Sequence, residues 1–299
     1  MEHPAAARFV RLLVEDGRSI PSGPGRLLGA EQEFEVFEGG AKGDFRRLID
    51  AVLASAALPA GALTYYLDTG TLVTCDGWEA EIAVPPVPAE RGGCRRLVDL
   101  VCSQRTVLAG LVDVYGRATG RALSLRGYST HLSAYCAMVD ADPVCRLYAT
   151  TMAPAMMLHL DLATSPGLLV RPRTYRFEIG GEYAGPADVL TAAAVFFLGS
   201  YLAVWDAVHA GRPDRLPLRF DASAIQPATQ RFGYYVDRSA FGSDLYAAGR
   251  SALLRRASGG TIRAQDALEV LWAFARPYLE GLAGAEEIAC VTDFVEGRR

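Results

Sequence analysis

The stretch Leu27-Leu28-Gly29-Ala30-Glu31-Gln32-Glu33-Phe34-Glu35-Val36-Phe37 decides how this 299-residue chain is read. In a β-strand, residues two apart point to the same side of the sheet. Glu31, Glu33 and Glu35 therefore share one face, while Ala30, Gln32, Phe34 and Val36 share the other. A second apolar run, Gly77-Trp78-Glu79-Ala80-Glu81-Ile82, repeats the pattern with Glu79 and Glu81. A third, Arg176-Phe177-Glu178-Ile179, sets one acid two residues from a base. If these strands are neighbours, one sheet face becomes a patch of carboxylates. Such a patch repels itself unless divalent cations hold it together. For any one strand taken alone, an edge strand with a solvated acidic face is the alternative.

Composition narrows the function classes. The chain is 51% hydrophobic and 21% charged, enough apolar material for a large core in one or two domains and too much for disorder. A net charge of −4 gives no reason to expect nucleic acid as a partner. Lys42 is the only lysine, so a phosphate or carboxylate held by a cation here is held by arginine, whose planar fork suits bidentate contacts. A GC-rich coding bias is the alternative reading of the arginine excess. Cys75, Cys94, Cys102, Cys136, Cys145 and Cys290 form no CxxC pair and no other zinc spacing. With a start that lacks an apolar h-region, they read as reduced thiols of a cytoplasmic protein. Residues 189–205 (VLTAAAVFFLGSYLAVW) are at the short limit for a membrane span and read as a buried core helix, so no membrane partner is expected.

The periodicities predict helices over 4–16, 44–57 with Asp44 as N-cap, 90–118, 143–161 with a break at Pro154, 186–210, 244–257 and 263–282. Strands are predicted over 26–37, 62–67, 71–75, 77–84, 121–126, 128–138 and 174–180, with SPGLLVRPR (165–173) a loop and 211–243 a polar stretch. No repeat, low-complexity tract or linker divides the chain. Adjacent strand pairs separated by helices of mixed length favour an α+β fold with a mainly antiparallel sheet. Neither a Walker nor a dinucleotide phosphate loop is present: Ser22-Gly23-Pro24-Gly25 lacks the spacing and precedes a strand.

Two further segments bear chemistry. In Gly127-Tyr128-Ser129-Thr130-His131-Leu132-Ser133-Ala134-Tyr135, alternation sets Ser129, His131, Ser133 and Tyr135 on one face. Near carboxylates, His131 makes sense as a metal ligand or phosphate contact; alone it reads as a structural residue. Arg171, Arg173 and Arg176 precede Glu178, and Arg176 shares its strand face; a plain surface ion pair is the alternative. Oxygen ligands with one imidazole suit Mg²⁺ or Mn²⁺, which bridge to substrate phosphates, and arginines neutralise a transferring phosphoryl group. Activation of a carboxylate by ATP, followed by attack of an amine, uses both.

At these residues a resemblance enters. Gly29-Ala30-Glu31-Gln32-Glu33-Phe34 resembles the G-x-E-x-E-[FY] strand that opens the carboxylate–amine ligases of the glutamate–cysteine ligase family, part of the glutamine synthetase-like superfamily. Glu79 to Pro86 is similar to that family's second acidic strand, Thr130-His131 to its histidine strand, and Arg176-Phe177-Glu178 to its later Arg/Glu strand. The order holds over residues 27–180. The resemblance implies one glutamine synthetase-like catalytic domain over 1–299: a curved, mainly antiparallel sheet, a funnel or half-barrel, with helices on its outer face. It implies Glu31, Glu33, Glu81, His131 and Glu178 as metal ligands, Arg176 and Glu79 as catalytic groups, and Arg173, Arg176, Arg231 and Ser133 as ATP contacts. The chain departs from the family at Ile179-Gly180-Gly181, where another arginine is usual, and it is compact for the family.

The function expected is thus an ATP- and Mg²⁺- (or Mn²⁺-) dependent ligase. It joins the carboxylate of a small amino-acid or peptide-like substrate to an amine through an acyl phosphate, and a homo-oligomer would suit so compact a chain. The alternatives are a guanidino-kinase-type phosphotransferase and a non-catalytic binding protein of the same fold.

Overall fold

The computed structural model describes residues 27–53, 58–61, 63–136, 138–160, 166–173, 175–221, 225–227 and 233–298. The helix expected over 4–16 and the expected ATP contact Arg231 lie outside them.

The acidic stretch is a strand, β1 (Leu27–Glu38), and its alternate residues Leu28, Ala30, Gln32, Phe34 and Val36 are all buried. After the short β2 (Ala41–Lys42), Asp44 caps a 3-10 turn at Phe45–Arg47 by accepting the Arg46 N–H, and α1 (Ile49–Leu53) follows. Next come β3 (Leu58–Gly61), β4 (Thr64–Tyr66), β5 (Leu72–Asp76), β6 (Glu79–Ala83) and β7 (Val87–Pro88). A long helix, α2 (Gly93–Thr119), leads to β8 (Leu123–Tyr135). Then α3 (Met138–Thr151) and α4 (Ala153–His159) precede the hairpin of β9 (Gly167–Arg173) and β10 (Arg176–Glu182). The apolar α5 (Ala187–His209) is followed by β11 (Gln226–Pro227), β12 (Tyr234–Asp237) and α6 (Leu245–Ala248). A separate hairpin, β13 (Leu253–Arg255) with β14 (Thr261–Arg263), precedes α7 (Ala264–Ala275) and α8 (Ala285–Val295).

Among the described residues twelve strands form one sheet, in the order β11-β12-β9-β10-β8-β1-β6-β5-β4-β3, with β2 and β7 also on β1. Its pairings are antiparallel, and the sheet is not closed into a barrel. Helices cover one face. Leu28, Ala30, Leu132, Val170, Phe177 and Ile179 enter one core with residues of α2 to α5, while Phe34, Val36, Val73 and Ile82 pack with Ile49, Leu53 and Leu108. Because side chains alternate, covering that face with helices turns Glu31 and Glu33 to the other.

Aromatic side chains pack under β10. The Phe177 ring stacks on Phe197 and Tyr201 of α5, and the Tyr201 hydroxyl donates to the Tyr135 carbonyl at 2.7 Å. By length and composition α5 could cross a membrane, yet 78% of its apolar window is buried inside the molecule. As the sequence predicts, it is a core helix here.

Four expectations change. The two strands expected around Gly127 are one, β8, interrupted by a bulge: Glu33 pairs with Ser129 but Phe34 with Gly127, leaving Tyr128 as the extra residue. Gly127 is needed there because a Cβ would stand 2.1 Å from the Tyr183 ring, which packs edge-on against Phe34. Part of the loop expected before β10 is the strand β9, stabilised by pairing with both β10 and β12. The helix expected over 244–257 breaks after α6 into a 3-10 turn and β13, since Gly249 takes a positive φ of 54°. The helix expected over 263–282 stops at Ala275, where Pro277 gives way to a 3-10 turn, and α8 was not foreseen. The break expected at Pro154 is present, α4 starting afresh with that proline in its first turn.

Candidate metal and phosphate site

Paired residues of an antiparallel sheet share a face, so the register lays out the acidic face in rows. One row runs Thr74, Glu81, Glu33, Ser129, Glu182 across β5, β6, β1, β8 and β10. The next runs Ala83, Glu31, His131, Gly180, and the third Gly29, Ser133, Glu178, Arg171. A fourth sets Arg176 beside Arg173 and Tyr135. Five of the carboxylate and imidazole groups that the sequence reading singled out thus come from four strands onto one patch.

Two clusters of ligand atoms result. Glu31, His131 and Glu178 can place one atom each within 4.8 Å of the others, and so can Glu33, Asp76 and Glu81. His131 Nδ1 lies 3.7 Å from Glu31 and 3.8 Å from Glu178, and its Nε2 lies 3.8 Å from Glu33. Ser129 donates to Glu33 at 2.6 Å. Carboxylate oxygens with a single imidazole are the donor set of a hard divalent cation, so the residues present fit Mg²⁺ or Mn²⁺.

The protonation equilibria show the same strain. Burial, then repulsion from Glu31, Glu33, Asp76 and Glu178, pushes Glu81 well above the ordinary carboxylate range. Burial raises Glu33 and, together with Glu178, Glu31. Glu178 goes the other way. Burial would raise it, but Arg176 and Arg171 outweigh burial and bring it down to about 2. Burial also holds His131 below its ordinary value, in the neutral form a metal requires.

Arginines border the Glu178 cluster. Arg176 donates to Glu178 at 3.0 Å and lies 3.3 Å from Glu31, and Arg173 lies 3.5 Å from Glu178. Arg171 also bonds Glu178 and reaches 3.4 Å from His131 Nδ1. Gly180, where an arginine was expected, lies against the imidazole: a Cβ there would come within 2.9 Å of Cδ2 and Nε2. A side chain at 180 and this pose of His131 exclude one another; the guanidinium groups of Arg171 and Arg173 reach Glu178 from β9.

Glu79 stands apart from both clusters. It pairs with Lys42 at 2.8 Å, and Lys42 also holds Glu35 at 2.9 Å. Ser133 lies in the row of Glu178, between Gly29 and that glutamate. The sequence reading missed Asp76 and Glu182. Asp76 sits at the mouth of the Gly77-Trp78 turn and reads as a turn residue; its pairing with Glu79 two positions from Glu81 was the available signal. Glu182 follows Gly180-Gly181, which breaks the alternation by eye although the strand continues to it.

No protein-family model and no curated protein sequence matches the chain, so the resemblance to glutamate–cysteine ligases has no support at the level of sequence families. Solved structures do match. The chain is similar to the Pup ligase PafA in its complex with the prokaryotic ubiquitin-like protein Pup, at 12% identity and a TM-score of 0.57, over 91% of this chain and 63% of that one. A second structure of PafA, in complex with ADP, matches at 12% identity and a TM-score of 0.46, over 84% of this chain and 62% of that one. The chain therefore spans a little under two thirds of the length of the PafA chains it matches, and it is similar to PafA in fold.

Proposed function

We propose that the chain is an ATP- and divalent-metal-dependent ligase joining a carboxylate to an amine. The observation that carries this reading is the pair of ligand clusters, Glu31/His131/Glu178 and Glu33/Asp76/Glu81, side by side on the acidic face of an antiparallel sheet and bordered by arginines. The likeness in fold to a ligase, PafA, supports it. For the substrate we propose an amino-acid or peptide-like carboxylate; PafA's complex with Pup favours the peptide-like end of that range.

The residues divide the work as follows. The two clusters would hold divalent cations, which when bound supply positive charge to the phosphates of ATP. Arg176 and Arg173, the more exposed of the three arginines around Glu178, neutralise the transferring phosphoryl group as the carboxylate becomes an acyl phosphate. The amine then attacks the acyl carbon, phosphate leaves, and the amine's proton goes to a carboxylate at the rim; Glu79, tied to Lys42, is the group we assign to it.

The test begins with binding. ATP with Mg²⁺ at millimolar concentration should raise the melting temperature, because a ligand of the folded state stabilises it. Pairs of carboxylate and amine substrates are then screened for ADP and free phosphate. Glu31→Gln, Glu33→Gln and His131→Ala should each abolish ADP release; full activity in all three, or no thermal response to ATP and Mg²⁺, overturns the reading.

A further inference from the structure

Of the three arginines around Glu178, Arg171 is unlike the others. Its side chain is 2% exposed, against 43% for Arg173 and 33% for Arg176. It is housed from both sides. Arg171 pairs across the sheet with Glu178, and on its other flank Gly233, at a φ of 144°, leaves no room for a side chain: a Cβ there would lie 2.6 Å from Arg171 Cβ. Its Nε donates to Glu178 Oε1, and its Nη2 stands 3.4 Å from His131 Nδ1.

Those two acceptor atoms have a second use. Nδ1 is the ring nitrogen that lies 3.7 Å from Glu31 Oε2 and 3.8 Å from Glu178 Oε1, so it is the one a cation shared by Glu31, His131 and Glu178 would engage. A neutral imidazole nitrogen has one lone pair and cannot serve a guanidinium N–H and a metal at once. We propose that Arg171 is a built-in cation that competes with a divalent metal for His131 and Glu178, so that the two clusters on this face take metal unequally. This rests on reading the face as a metal site.

The consequence is an order of loading. The Glu33/Asp76/Glu81 cluster takes metal without moving Arg171. Metal at the His131 cluster requires the guanidinium to swing off, and a buried guanidinium without an anion is costly. The second metal therefore binds together with a phosphate-bearing ligand that gives Arg171 a new partner.

The test is a Mn²⁺ titration followed by the electron paramagnetic resonance signal of the free ion. It is run on the wild type, Arg171→Gln and Arg171→Lys, with and without a non-hydrolysable ATP analogue. For the wild type alone, one equivalent binds tightly and a second weakly, and the analogue tightens the second. In Arg171→Gln the second equivalent tightens by about tenfold or more with no analogue present, the scale of effect expected when a group hydrogen-bonded to metal ligands is changed. Arg171→Lys, which keeps the charge but loses the fork, falls between; if the Gln variant does not fold, the Lys variant against wild type decides. A folded variant whose second equivalent is unchanged or weaker overturns the proposal and leaves the ligase reading intact. Absence of Mn²⁺ binding in every protein sinks both.

Discussion

Gly180 makes room for His131: a Cβ at position 180 would sit 2.9 Å from both Cδ2 and Nε2 of the imidazole, on the neighbouring strand of the sheet. A methyl group there must push the ring off its ligand position. Gly180→Ala is expected to cost about 1–3 kcal/mol of stability from overpacking and to lose at least the Mn²⁺ affinity of the His131 cluster. Gly29→Ala is the control for stability and Mn²⁺ affinity. Its Cβ would come 2.7 Å from Ser133 Oγ, an atom that a χ1 rotation moves aside. ADP release near wild type in Gly180→Ala would show that the pose of His131 does not matter.

Glu81 is raised by burial and by four neighbouring carboxylates, so its charged form is disfavoured in the folded chain. The sign follows. A carboxyl with a raised folded pKa lends stability below its unfolded value, and that stability is lost as pH rises through the folded one. At neutral pH the metal-free protein thus carries repulsion at this site. Glu81→Gln should raise its melting temperature at pH 7.5, by about 1–2 °C per kcal/mol relieved for a chain of this length, and remove much of the further rise on adding Mn²⁺. A lower melting temperature for the metal-free variant would contradict the argument.

His159 supplies a pH dependence of opposite sign, far from the acidic face. Its ring is sandwiched between Phe196 and Phe294 at centroid distances of 4.5 and 4.2 Å, Nδ1 is 3.0 Å from the Ala155 carbonyl, and Nε2 has no hydrogen-bond partner among the described residues. Burial depresses its pKa to about 3. Stability from keeping this ring neutral is present above the unfolded value near 6.5 and is lost as pH falls towards 3. Between pH 7 and pH 5 the loss should be about 2 kcal/mol in urea unfolding. His159→Phe should flatten that portion of the profile; an unchanged slope would place the proton elsewhere.

Lys42 joins Glu35 and Glu79 at the rim of the face with a half-exposed side chain. Exposed pairs of this kind contribute at most about 1 kcal/mol, so Lys42→Ala should leave the unfolding free energy nearly unchanged. If Glu79 accepts the amine's proton, the variant nevertheless turns over more slowly with a shifted pH–rate profile. Wild-type rate and profile would remove Glu79 from the mechanism.

Much of the acidic face was legible because period-2 alternation is local: Glu31, Glu33, Glu81 and Glu178 each announce their side of the sheet within five residues. The meeting of Glu31 with His131 was legible only through the order of motifs, since register is set by pairing across a hundred residues. Asp76 and Arg171 were harder. Asp76 belongs to Glu33 and Glu81 through two strand pairings, and Arg171 lies on a strand whose Gly167 start and Pro172 interior look like loop chemistry. Pro172 is tolerated there although β9 is paired on both sides: β12 meets it from Gly167 to Val170 only, so the proline lies beyond that ladder. The last third of the chain misled for a further reason. Gly249 and Pro277 each interrupt a stretch whose apolar spacing reads as helix, leaving a short helix, a 3-10 turn and a strand in the first and a 3-10 turn at the end of the second.

The rows of the acidic face carry one more implication. Every group in them reaches its neighbours only because six strands keep a common register, and a slip of one residue in β1 would send Glu31 and Glu33 into the helix-packed side and Ala30 and Gln32 out. A slip confined to β1 would leave Asp76, Glu81, His131 and Glu178 where they are and take one carboxylate from each cluster. Tight binding of the first Mn²⁺ per mole of soluble protein is then a reporter of correct strand pairing as well as of the ligands themselves.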